Sequence, residues 1–259
     1  MQEKMQQSQD PHAHQPVLHA GPAISDARLV AILLHGRGAG AEDILGLSGE
    51  FSASGVAYLA PQAAGQTWYP NSFLAPIEQN EPGISSGLRV IAGLLQDLHQ
   101  QDVSSDRIVL LGFSQGACLA LEFAARHARR YAAVVAFSGG LIGPPGTHRH
   151  YPGRFDGTPA FIGCSDADAH IPLDRVHEST AVLRRMGAVV DERIYPRMGH
   201  TVNRDELGAV DALLSQRFDH ESRSVARTVR SVRRSSKIQG KEHSISNCSA
   251  ASRAKISSV

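Results

Sequence analysis

Gly112-Phe113-Ser114-Gln115-Gly116 is the segment that most restricts how this chain can fold. It follows the apolar run RIVLL (107–111) and leads into ACLALEFAARHA, a stretch rich in helix formers. A strand that enters a helix through G-x-S-x-G must turn sharply, and the turn holds its serine in a strained backbone conformation. Side chains at the two glycine positions would collide with the chain packed around that turn. The serine then stands at the carboxyl edge of a sheet, beside a helix N-terminus whose dipole favours negative charge.

The surrounding sequence supports a sheet of this kind. Short β-rich runs at Leu29–Leu34, a continuous apolar stretch, and at Val56–Ala60, 107–111, Ala132–Phe137, Pro159–Cys164 and Val189–Tyr195 read as strands, with Val17–Ala20 as an edge strand. Between them the apolar period is helical. Leu88, Ile91, Leu95 and Leu98 share one face, with Ser85 or Ser86 as the expected cap. Val176, Thr180, Leu183 and Met186 share another. A last helix opens on Asn203-x-x-Glu206, a capping-box pattern, and presents Leu207, Val210, Leu214 and Phe218. Strands alternating with helices predict an α/β domain with a mostly parallel sheet and helices on both faces.

That domain is expected over residues 16–218. Residues 1–15 are polar and read as a flexible N-terminal segment. Beyond 218 the composition changes: residues 221–259 hold eleven Ser, nine Lys or Arg and two Asp or Glu. So little apolar surface cannot offset the entropy of ordering, so 219–259 reads as a disordered basic tail. Val225, Val229 and Val232 beside Arg223, Arg227, Arg230 and Arg234 weigh toward a basic amphipathic helix, but three valines bury too little area. With the tail set aside the body is mildly acidic, which argues against nucleic acid as a partner. No apolar run approaches the ~18 residues that span a bilayer. The polar N-terminus lacks the apolar stretch of a secretion signal, so a cytoplasmic location is expected. Three cysteines make no disulfide framework; Cys118 and Cys164 read as small buried hydrophobes. His12-x-His14 and His148-x-His150 have ligand-like spacing without a thiol nearby in sequence, and read as solvated; no metal is expected.

A serine hydroxyl attacks a carbonyl only when a base takes its proton and a carboxylate orients that base. Where Ser, acid and His come in that order, each after a strand, the strand 159–164 leads into Asp166 and Asp168, and the strand 189–195 leads into His200. An oxyanion needs two backbone donors, one from the residue after the serine and one from the loop after the first central strand. Those are Gln115 and a residue of HGRGAG (35–40), taken as Arg37. That stretch has neither G-x-G-x-x-G spacing nor a Walker lysine, so a nucleotide is not indicated. Trp68, Tyr69 and Phe73, in the long connection before the first long helix, are expected with Ile171 to form an apolar rim for substrate beside Ser114.

The blocks LLHGRGAGAEDIL, TWYPNSFLAPIEQNEPGISSGL, GFSQGACLALEFA, DADAHIPLDRV and YPRMGHTVN together resemble the bacterial phospholipase/carboxylesterase family of α/β-hydrolases, a group that includes acyl-protein thioesterases and lysophospholipases. The resemblance spans roughly residues 11–218, with five blocks in order. It implies an α/β-hydrolase fold without a large cap domain and a triad of Ser114, Asp168 and His200. Asp168 is preferred over Asp166 because the family pattern places the acid four residues before a proline, here Pro172. A serine at 114 separates the chain from the similar dienelactone hydrolases, which carry cysteine there. The implied activity is serine carboxylesterase action on small to medium acyl esters, with no cofactor and with a homodimer allowed. The alternatives are a lysophospholipase or acyl-thioester hydrolase and, in a different class, a non-catalytic binding module on a hydrolase scaffold.

Overall fold

The computed structural model describes residues 10–216. Seven strands form one sheet in the order β1-β3-β2-β4-β5-β6-β7: β1 Val17–Ala20, β2 Leu29–Leu34, β3 Val56–Pro61, β4 Ile108–Phe113, β5 Ala133–Phe137, β6 Pro159–Ser165 and β7 Val189–Tyr195. Only β1 runs antiparallel, pairing with β3 at the edge. Side chains alternate between the two faces of a strand, so an element buried at every position is covered on both sides. β2, β3 and β5 are buried throughout, which explains their unbroken apolar runs.

Five α-helices accompany the sheet among the described residues: α1 Ala41–Leu45, α2 Gly83–Gln100, α3 Gln115–Arg126, α4 Leu173–Arg185 and α5, residues 204–216. α2 buries Leu88, Ile91, Leu95 and Leu98, the face its periodicity marks. Its start differs from expectation. The helix begins at Gly83, and neither serine caps it: Ser85 pairs with Glu81, while Ser86 takes the amide of His12 and donates to Asp10. α5 opens as predicted. Glu206 N–H donates to Asn203 Oδ1 (2.9 Å) and Asn203 N–H to Glu206 Oε2 (2.8 Å), a reciprocal capping box. Phe218, Cys248 and the basic tail lie outside the described residues.

Residues 10–15, expected to be loose, pack onto the domain, and His12 is buried. It is not a solvated loop histidine. His148 and His150, by contrast, are exposed. Cys118 and Cys164 are buried free thiols, as their small apolar character suggested. Among the described residues no helix is long and apolar enough to cross a membrane.

Candidate active site

β4 continues through Gly112 to Phe113, each paired with residues of β5, before the chain turns into α3 at Gln115. Ser114 occupies the turn with φ 54° and ψ −118°. This region costs a non-glycine residue on the order of 1–3 kcal/mol, and the surroundings hold it there. Ser114 N–H donates to Phe137 O (2.9 Å), and Cys118 N–H donates to Ser114 O (3.0 Å). Both flanking glycines are required by close approach. A Cβ on Gly112 would lie 2.4 Å from the backbone of Gly116, and one on Gly116 would lie 2.1 Å from Leu34 O. The elbow is therefore wedged between α3 and the end of β2.

Two further loops bring their side chains to Ser114. His200 Nε2 lies 2.8 Å from Ser114 Oγ, and His200 Nδ1 lies 2.7 Å from Asp168 Oδ2. The imidazole stands between hydroxyl and carboxylate with Nδ1–H toward Asp168 and Nε2 as acceptor of the serine proton. Asp168 has a fully buried side chain. Burial alone raises a carboxyl pKa; the His200 hydrogen bond and the amides of His170 (2.8 Å) and Ile171 (3.1 Å) outweigh it and hold Asp168 below the ordinary value. Cys164 lies behind with its Sγ 3.7 Å from Asp168 Oδ2, and burial pushes this thiol up to about 12, so it stays protonated. Asp166 does not reach His200. Exposed, it accepts the Arg197 amide (2.7 Å), while Ser165 Oγ accepts that of Gly199 (3.1 Å). These two residues tie the loop that carries His200 to the loop that carries Asp168. The rings of Phe113 and His170 flank the imidazole at centroid distances of 5.0 and 4.7 Å.

A cleft of about 340 Å³ opens beside this trio. Tyr69, Phe73 and Ile171 line it together with Arg37, Asn71 and Cys118. Trp68 does not. It is fully buried behind the wall, its indole N–H donating to His35 O (3.0 Å) and its amide to Gln115 Oε1 (2.7 Å). An indole needs a partner for its N–H when buried, and a backbone carbonyl supplies it here. The sequence also gave no sign of what fixes the wall. The Arg37 guanidinium donates to Pro70 O (2.7 Å) and Asn71 O (2.5 Å), Gln115 Nε2–H to Tyr69 O (2.8 Å), and Asn80 exchanges bonds with Asn71 and Ser72. Gln115 begins α3, where its N–H has no intrahelical acceptor. In the loop after β2, the amides of Gly38 and Ala39 are taken by Gln66 O and Gly36 O. Among the described residues no cluster of three His, Cys, Asp or Glu is arranged to hold a metal ion.

The sequence profile of the phospholipase/carboxylesterase family matches residues 22–217. A phospholipase/carboxylesterase crystal structure from Dyadobacter fermentans is 38% identical, covering 77% of this chain and 96% of that one, with a TM-score of 0.75. Acyl-protein thioesterase 2 of Zea mays shares the fold at 19% identity, covering 79% of this chain and 99% of that one, with a TM-score of 0.61. Acyl-protein thioesterase 1 of Neurospora crassa is 29% identical over 149 residues, which is 54% of this chain and 58% of the relative. The first curated relatives are matched over only 38% to 60% of their own length. Profile, fold and elbow agree with the resemblance carried by the five sequence blocks: the chain belongs to the phospholipase/carboxylesterase family.

Proposed function

We propose that this protein is a serine carboxylesterase acting on small to medium acyl esters, with Ser114 as nucleophile, His200 as base and Asp168 as the orienting acid. The observation that carries the proposal is the unbroken relay of 2.8 and 2.7 Å from a strained serine through one imidazole to a buried carboxylate. In the first half-reaction Ser114 Oγ attacks the ester carbonyl while its proton passes to His200 Nε2. Asp168 stabilises the resulting imidazolium. The carbonyl oxygen becomes an oxyanion, met by the backbone N–H groups of Gln115 and Arg37; one such donor is worth about 10²–10³ in rate. Collapse breaks the bond to the alkoxy group, which leaves with the proton from His200. Water then repeats the sequence on the acyl-enzyme, giving the free acid and regenerating Ser114. No step calls on a cofactor.

The cleft supports the preference for small substrates, since about 340 Å³ lies at the low end of ligand pockets. Thioester or lysolipid hydrolysis is the second reading, favoured by the thioesterase names of some relatives. A chain-length series of 4-nitrophenyl esters, run beside an acyl thioester and a lysolipid, separates the two. Highest kcat/KM on acyl chains of two to eight carbons is the expected result. A preference for the long-chain lysolipid or thioester would overturn it.

A further inference from the structure

His12 lies outside the segment matched by the family profile, which begins at residue 22, yet it is buried to 3% exposure. Its backbone N–H donates to Ser86 Oγ (3.0 Å). Its ring bonds at both nitrogens: Nε2 faces Trp68 O at 2.9 Å, and Nδ1 accepts Ala64 N–H at 3.1 Å. Those partners fix the imidazole as neutral, with its proton on Nε2. The ring also stands edge-on to the Trp68 indole, 5.2 Å between centroids. Asp10 fastens the segment from the other side, accepting from Ser86 Oγ and, at 2.9 Å, from Arg89 Nε. Trp68 in turn donates its amide to Gln115 Oε1, and Gln115 Nε2–H donates to Tyr69 O. A continuous set of hydrogen bonds thus runs from His12 through Trp68 to the residue that follows Ser114.

We propose that His12 is a positioning residue for the Ser114 centre: it clamps the Trp68–Tyr69 segment onto the Gln115 side chain and so fixes both the cleft wall and the amide that meets the oxyanion. The inference rests on the reading of Ser114 as nucleophile. It explains why a segment outside the matched family region carries a buried imidazole with both ring nitrogens bonded. An oxyanion donor must be placed before the reaction begins, and a shift of about 1 Å caused from a distance can cost 10²-fold. A second proton on His12 would set donor against donor at Ala64 N–H. Burial already holds the pKa of His12 below its ordinary value, the Trp68 carbonyl and Asp10 opposing that effect and Arg89 adding to it. The other titratable group on the indole is His35, its ring tilted by 32° at 5.1 Å between centroids and its own pKa lowered mainly by burial.

The test uses the full chain with His12→Ala and His12→Gln, the latter able to keep one donor and one acceptor. For 4-nitrophenyl acetate, His12→Ala should lower kcat by roughly ten- to a hundredfold with a much smaller change in KM, and His12→Gln should restore most of it. An unchanged kcat in His12→Ala, or a loss that His12→Gln does not restore, would overturn the proposal. Trp68 is the only tryptophan, so its fluorescence reads the clamp without turnover. On acidification the wild type should show a transition with its midpoint below about 6.5, the ordinary histidine value, and His12→Gln should lack it. A transition that persists in His12→Gln belongs to His35 and contradicts the clamp. Should His12→Ala not fold, the glutamine variant and the fluorescence titration still decide. Hydrolysis that survives in Ser114→Ala would instead refute the nucleophile, leaving the fluorescence result to judge His12 alone.

Discussion

The loops that follow β5 and β6 leave neighbouring strands at the same edge of the sheet, and they are held by opposite means. The loop after β6 is short and holds itself. Asp168 Oδ1 takes the amides of His170 and Ile171, and Ser165 Oγ takes that of Ala167, all within three residues of their acceptor. The loop after β5, residues 138–158, is held by buried charge from distant elements. Glu122, in the middle of α3 and 2% exposed, accepts from the Ile142 amide, the Tyr151 hydroxyl and the Arg126 guanidinium. Arg175 of α4 donates to Leu141 O (2.7 Å) and Gly143 O (2.6 Å), and Arg149 crosses back to Ile142 O and Glu178. The long loop then reaches the cleft, where Gly143 N–H holds Phe73 O and the Arg175 guanidinium lies 5.8 Å from the Phe73 ring. One loop holds the carboxylate that faces His200 by local geometry; the other holds a cleft wall by long-range electrostatics.

The comparison can be broken first at the chemistry. Ser114→Ala and His200→Ala should each reduce ester turnover to near background, a loss on the order of 10⁶ in kcat by the precedent of serine hydrolases, with unchanged circular dichroism. The two acids of the short loop should separate next. Asp168→Asn should cost up to about 10⁴ in kcat. Asp166→Asn, which loosens only the Arg197 amide, should cost far less; the reverse ranking would reassign the acid. The long loop should respond in stability rather than chemistry. Glu122→Ala leaves the Ile142 amide and the Tyr151 hydroxyl without their carboxylate acceptor and should lower unfolding free energy by about 1–3 kcal/mol in urea titration. A loss under about 1 kcal/mol would show that the network is not what holds residues 138–158.

A smaller effect is expected at Glu206. Burial pushes the Glu206 carboxyl up to about 7, with Asp205 adding and the Asn203 amide opposing. Its Oε1 is buried without a partner, and a Cβ on Gly163 would fall 2.1 Å from it. The folded state therefore keeps a proton that the unfolded chain releases near 4.5. The stabilisation is fully present below pH 4.5 and is lost as pH rises through about 7. Unfolding free energies measured at pH 5 and pH 8 should converge in Glu206→Gln; an unaltered pH dependence would contradict this. Least of all, removing residues 221–259 should leave kcat/KM for small esters unchanged, since the family match ends at 217.

The same contrast decides what the sequence made legible. The convergence of Ser114, Asp168 and His200 could be read because each follows a segment that reads as a strand, and because chain order distinguishes His200 from twelve other histidines. The capping box at Asn203 and Glu206 was legible for the same reason: its partners are three residues apart. His12 was not, because both partners of its ring are backbone groups more than fifty residues away, which any side chains could supply. Trp68 suggested a rim because the sequence places it in a loop; only tertiary structure reveals that His35 and Gln115 draw it beneath the wall. Glu122 left a signal that could have been used. A single carboxylate inside ACLALEFAA must either face solvent or find cations, and every position of α3 up to Ala125 is buried.

The account stands on Ser114 being activated by His200 through the 2.8 Å contact. Exposure to a fluorophosphonate followed by peptide mass spectrometry tests that contact most directly. Stoichiometric modification of Ser114 in the wild type, suppressed in His200→Ala, is the predicted result. An unmodified Ser114, or labelling that proceeds at the same rate without His200, would contradict it.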